Sequence, residues 1–474
     1  MTVDDTATGR KRLEGQLGVV AIVFMVVAAA APLTVVGGNV PLAIGLGNGA
    51  GAPVGFLIAS TVMLVFSIGF VTMTPHVREA GAFFSYVTEG LSRRVGTGIA
   101  VVALIAYTAI QLGVYGYVGW AIDDTIRFYG GPSAPWPLYA LAIMAIVAVL
   151  GYRHIQLSAK VLGVALALEI AVMLILDAVV AGRGGADGLN LTSFAPDAIS
   201  SGPLGIAVLF ALTGFIGFEA TAVFRDEARD PERTIPRATY LAVLLIGGFY
   251  TLSSWALVVA AGTGDAKEVA NRTLNGEANM LLDTTLDYLG PLGRDILNVL
   301  LLTSLFACVL SFHNVIARYQ FVLARRGLLP ARLGAVHTVH ASPAVSSIAQ
   351  SVTAVVILLV FAVLGLDPLV GVFGSMAGVA TLGMVTLMGT TSIAVLVFFA
   401  RRPELVEGRT FSTRVAPALA VAGLVGSAWL VLSNFTLVTG GSVLASTLLA
   451  LIVPAGFVLG LLFGHRLHDA DVVV

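Results

Sequence analysis

Charge is what this sequence has least of. Lysine, arginine, aspartate and glutamate make up 11% of its 474 residues, well under the roughly one quarter usual in soluble domains. Cysteine occurs once, as Cys308, which excludes an internal disulfide and every multi-cysteine metal site. The net charge of −1 gives no basis for binding nucleic acid. No His–Glu or Cys–His spacing suited to a metal is present, so neither metal nor cofactor is expected. No cleavage motif precedes the first apolar run, so that run reads as a retained anchor behind a polar tail carrying Arg10, Lys11 and Arg12. Apolar residues fill 57% of the chain. The class that remains is an all-α polytopic membrane protein.

Twelve apolar stretches can be traced, at about 17–46, 52–73, 98–125, 135–152, 155–181, 203–224, 236–262, 291–318, 344–366, 368–400, 412–438 and 442–464. Basic residues in the connections set the orientation. With the N-terminus inside, 21 of the 26 lysines and arginines fall on inner segments, and only Arg127, Arg183, Lys267, Arg272 and Arg294 fall outside. An odd number of spans would scramble that bias. The expectation is a multi-pass protein of the cytoplasmic (inner) membrane with both termini cytoplasmic. Residues 1–16 and 465–474 are then inner tails, 17–181 and 203–400 two halves of five helices each, and 412–464 two peripheral helices. Residues 182–202, rich in Gly, Asp, Ser and Pro, and 263–290, which hold several acids, read as solvated connectors.

Residues 203–237 organise the rest. An apolar run long enough to span is interrupted at Thr213, Gly214, Phe215, Ile216 and Gly217, and Glu219 follows directly. Each glycine costs a helix about 1 kcal/mol relative to alanine, and broken backbone in lipid survives only where protein or a cavity covers it. Glycines packed on a neighbouring helix account equally well for this stretch alone. The first span is broken too, by Pro32 within Ala30, Ala31, Pro32, Leu33 and Thr34, where proline removes an amide and obstructs the preceding turn. Interrupted helices leading two five-helix halves point to an inverted-repeat transporter with a midplane site. Glu169, midway along span five, is the other ionisable group at depth, a functional candidate by default. A neutral glutamic acid bonded to a neighbouring helix is the plainer alternative. Tyr107 and Gln111 lie one turn apart on span three, suited to substrate contact or to interhelical hydrogen bonds.

Gly217-Phe218-Glu219, followed by Asp230-Pro231-Glu232-Arg233-Thr234-Ile235-Pro236-Arg237-Ala238, resembles the amino acid–polyamine–organocation transporter superfamily, with Asp230 where asparagine is usual. Val77 to Val87 resembles the segment that follows the family's second helix, with Arg78 and Phe84 as departures, and is expected along the inner interface. Ala324-Arg325-Arg326-Gly327-Leu328-Leu329-Pro330 resembles the family's signature after helix eight, with Arg326 where an acid is usual. The resemblance implies a five-plus-five inverted repeat with discontinuous helices 1 and 6 and two peripheral helices. It implies substrate contacts from both breaks, from Tyr107 and Gln111, and from Cys308 and Phe312. Ser158 and Glu169 fall where the family borders a sodium site or places a lysine, so glutamate there is a departure. Glu169, Glu219 and Ser311 are the implied coupling and gating residues. His313 reads as a packed histidine rather than a relay.

The function expected is a secondary active transporter for an amino acid or related organocation. A polyamine carrier and an amino acid exchanger of the same fold stand as alternatives. Protons are preferred to sodium as the coupling ion, since Ser304 and Ser311 are the only span-eight hydroxyls able to complete a sodium shell. A membrane enzyme would need a nucleophile with a base, or a metal cluster, and a channel would need polar pore rings; neither pattern is present. The partners expected are the small-molecule substrate, the coupling ion and the lipid bilayer, with oligomeric state left open.

Overall fold

The computed structural model describes residues 17–77, 83–153, 159–223, 228–325, 327–336 and 342–465. These are almost wholly helical; among them the only β pairing is one bridge between Leu17 and Ala228. Both tails, Arg78, Ser158, residues 224–227 and Arg326 lie outside the described residues.

Helices α1 (Val19–Ala29) and α2 (residues 32–45) occupy the first apolar stretch, interrupted as the proline requires. They are followed by α3 (Ala52–Met73), α4 (Phe83–Gly90), α5 (Arg93–Phe128), α6 (Trp136–Tyr152) and α7 (Ala159–Arg183). The second half opens with α8 (Leu204–Thr213) and α9 (Ala220–Val223), then α10 (Pro231–Ala261), α11 (Ala266–Leu274) and α12 (Met280–Arg325). Then come α13 (Ala344–Val363), α14 (Ser375–Ala400), α15 (Ala416–Ser433) and α16 (Val443–His465). Among the described residues, ten helical segments are long and apolar enough to cross a membrane; two more, Trp136–Tyr152 and Leu204–Thr213, are apolar but shorter. A helix satisfies its own backbone in lipid, which is why apolar runs of this length take that form.

Helix α5 lies at the centre, packed on α6, α12, α14 and α16. Small residues permit the closest crossings, as expected where lipid gives helices little hydrophobic reason to associate. A side-chain carbon on Gly460 would come within 2.6 Å of Gly98 Cα, and one on Gly55 within 2.6 Å of Ala207 Cβ. Helix α4 turns Phe83 and Tyr86 into the protein, where Tyr86 stacks on Phe70 at 4.4 Å between ring centres.

The expectation that 263–290 is a solvated connector is corrected. It forms α11 and the first arm of α12, which bends at Gly290 (φ 77°) before Pro291. Met280, Leu281, Leu282 and Thr285 are buried. Asn279 caps the arm, accepting from Leu282 N–H at 3.2 Å, while Asp283 accepts from Asn279 N–H at 2.9 Å. Two of the polar residues that made the segment look solvated, Asn279 and Asp283, therefore form its helix cap. Helix α11 covers the C-terminal end of α2, where a carbon added at Gly45 would lie 2.8 Å from both Asn271 and Leu274.

Candidate functional site

Pro32 has no amide hydrogen to give, so α1 stops at Ala29 and the chain turns through Ala31 at φ 46°. Ala31 is the only non-glycine residue with positive φ among the described residues, a conformation costing about 1–2 kcal/mol. The freed Ala30 carbonyl accepts from Tyr250 Oη of α10 at 3.0 Å. Pro32 then opens α2, which winds through a π turn, Val35–Asn39, before reaching Gly45. Within that turn Asn39 Nδ2 donates to the Phe210 carbonyl of α8 at 2.8 Å.

The second break answers the first. Helix α8 ends at Thr213, and residues 214–219 run through turns in which Gly217 takes φ 105°. Gly217 faces α1, since an added carbon would lie 3.3 Å from Ala29 Cβ; at Gly214 one would lie 3.1 Å from Val35. The two interruptions are therefore side by side. Thr213 Oγ1 meets Thr381 Oγ1 of α14 at 2.6 Å, and Thr381 donates to Leu209 O at 3.2 Å. Glu219, buried, accepts from Gly217 N–H at 3.0 Å and from the Tyr107 hydroxyl of α5.

Between the breaks lies a small, nearly closed cleft with about 20 Å³ of free space. Ala30, Ala31, Thr34, Thr213 and Ile216 line it from the interrupted helices, and Cys308 and Phe312 from α12. Ile110 and Val114 of α5, Asn39 and Phe373 complete the wall. Glu169 sits behind it on α7, accepting from Ser304 Oγ at 3.1 Å, with the Leu33 backbone close by. A model of an amino acid permease family matches residues 15–459. The chain belongs to that family. The serine/threonine exchanger SteT of Bacillus subtilis is 21% identical over 312 residues, covering 64% of this chain and 67% of its own. The branched-chain amino acid permease BcaP of the same organism is 23% identical over 434 residues, covering 87% of each. The amino acid–polyamine–organocation superfamily, to which the sequence motifs pointed, is thus the right one, and its members are transporters rather than enzymes.

The permease does not bring all the expected residues to the cleft. Ala30, Ala31, Thr34, Thr213, Ile216, Cys308 and Phe312 line it. Pro32, Leu33, Gly214 and Gly217 shape the breaks without lining it, and Phe215 packs edge-on against Tyr250. Tyr107 is one layer back, holding Glu219. Gln111 points elsewhere: its amide donates to Val309 O at 3.2 Å and accepts from Gln350 Nε2 at 2.7 Å, so it ties α5 to α12 and α13. Ser311 is exposed and is not brought to Glu169; Ser304 is. The reason is axial distance: seven residues return nearly to the same helix face but carry Ser311 two turns, about 10 Å, further along α12 than Ser304. His313 is packed, paired with Ser347 at 2.8 Å. Sequence reasoning missed Asn39, Tyr250 and Thr381, and also Asp177, buried on α7 with Ser253 at 2.7 Å. Only Asp177 carried a signal, as an acid inside an apolar run.

Proposed function

We propose that this permease moves amino acids or related organocations across the cytoplasmic membrane by alternating access, driven by protons, with both its termini in the cytoplasm. The observation that carries the reading is the meeting of two interrupted helices around one small cleft. Helix ends carry partial charges, positive at the N-terminus and negative at the C-terminus. The N-terminal end of α2 suits a substrate carboxylate, and the carbonyls ending α8 suit its amine. Relatives named for serine/threonine exchange and for branched-chain amino acids place amino acids ahead of polyamines.

Protons suit the coupling role better than sodium because of what surrounds Glu169. Among the described residues Glu169 meets one hydroxyl oxygen, Ser304 Oγ, whereas sodium, a hard cation, wants a shell of several oxygens. Glu169 also touches the first turn of α2, so a change in its protonation acts directly on the interrupted helix. The test is uptake into proteoliposomes under an imposed pH gradient, with and without sodium, for wild type and Glu169→Gln. Wild type is expected to accumulate substrate on the pH gradient alone, and the variant to exchange substrate without concentrating it. Uptake that needs sodium and ignores pH overturns proton coupling; accumulation by the variant on the pH gradient removes Glu169 from that role.

A further inference from the structure

The cleft wall is uncharged: among the described residues no Asp, Glu, Lys, Arg or His lines it. The two core acids that could have favoured a cation are turned away and engaged, Glu219 with Tyr107 and Gly217, Glu169 with Ser304. The flanking helix ends supply one positive and one negative pole, enough for one carboxylate and one ammonium. A second ammonium, on a lysine side chain or along a polyamine, would face Ile110, Val114, Phe312 and Phe373. An ion buried without a counter-charge in such surroundings is strongly disfavoured. The cleft is also small, and both phenylalanines narrow it.

One hydroxyl of the wall is left over. Thr34 Oγ1 is buried and has no hydrogen-bond partner among the described residues. The other threonine of the wall, Thr213, is already engaged by Leu209 O and Thr381. A buried hydroxyl without a partner is costly and uncommon, and a ligand in the cleft would satisfy it. Building on the transport reading above, we infer that the cleft selects neutral α-amino acids with small side chains, excludes cationic amino acids and polyamines, and binds its substrate through the Thr34 hydroxyl.

The full-length protein in proteoliposomes tests this with radiolabelled alanine, serine and valine against radiolabelled lysine, arginine and putrescine. At least one neutral compound is expected to accumulate, and excess lysine, arginine or putrescine to leave that uptake unchanged. Thr34→Val is expected to raise the half-saturating concentration about tenfold, the scale of one lost hydrogen bond, while Thr34→Ser stays near wild type. Accumulation of lysine, arginine or putrescine to the level of the neutral compounds leaves transport standing and overturns the charge exclusion. Accumulation of none of the six overturns both the transport reading and this one. Wild-type affinity in Thr34→Val removes the hydroxyl from substrate binding. Should Thr34→Val fail to reach the membrane, Thr34→Ala and Thr34→Ser decide the same point by their difference.

Discussion

Glu219 closes a short loop on itself, one carboxylate oxygen taking the Gly217 N–H and the other the Tyr107 hydroxyl. The residue thereby ties the break after α8 to α5. In Glu219→Gln a single acceptor oxygen must serve two buried donors, and one left unmade costs about 1–3 kcal/mol. The variant is expected to reach the membrane, to unfold at lower temperature and to transport more slowly. Uptake rate and thermal midpoint measured on the same preparation check this, and wild-type values for both would reduce Glu219 to packing. Glu219 and Glu169 are conspicuous in the sequence because a carboxylate inside an apolar run is costly. Their partners are not, since Tyr107 lies 112 residues from Glu219 and Ser304 lies 135 from Glu169. Tyr250 is less legible still: an ordinary tyrosine within an apolar helix, it caps the Ala30 carbonyl only because α10 crosses α1 there.

At the scale of elements, both breaks follow from covalent geometry that a sequence displays. Proline cannot continue a helix hydrogen-bond ladder, and glycine alone accepts a strongly positive φ without strain. Gly217 at φ 105° is such a position, and the space beside it is tight, with Ala29 Cβ 3.3 Å from an added carbon. Gly217→Ala is therefore expected to strain the turn and push α1 away from α9, abolishing uptake while leaving the chain folded. Gly248, on α10 with nothing within 4 Å, is the control: Gly248→Ala should transport like wild type. Equal uptake by the two variants would mean that the break tolerates a side chain. The segment 263–290 was harder to read because a helix cap and a solvated loop share their residue types. The capping pair Asn279 and Asp283 ahead of buried Leu281 and Leu282 was the available signal. Where α11 lies, over the C-terminal end of α2, is a matter of tertiary packing that no local pattern encodes.

For the whole molecule, orientation rests on the uneven placement of basic residues, and the fold gathers the minority at one end. Arg127 donates to Gly276 O at 3.1 Å, Arg183 to Asp287 O at 3.2 Å and Lys267 to Gly47 O at 3.3 Å. All three bonds bind connections at the end where α2 and α5 finish, the end assigned to the outside. Arg401, at the other end, donates instead to Gly90 O at 3.3 Å, between α14 and the finish of α4. The positive-inside bias therefore makes a concrete demand on accessibility. Glu277 and Glu407 are both exposed, one on each end, and the unsubstituted protein, whose one cysteine Cys308 lines the cleft, sets the labelling background. In intact cells a membrane-impermeant maleimide is expected to label Glu277→Cys and not Glu407→Cys, with the latter labelled once the cells are permeabilised. The opposite pattern would turn the protein over, place its termini outside and reverse the side from which Glu169 meets a proton.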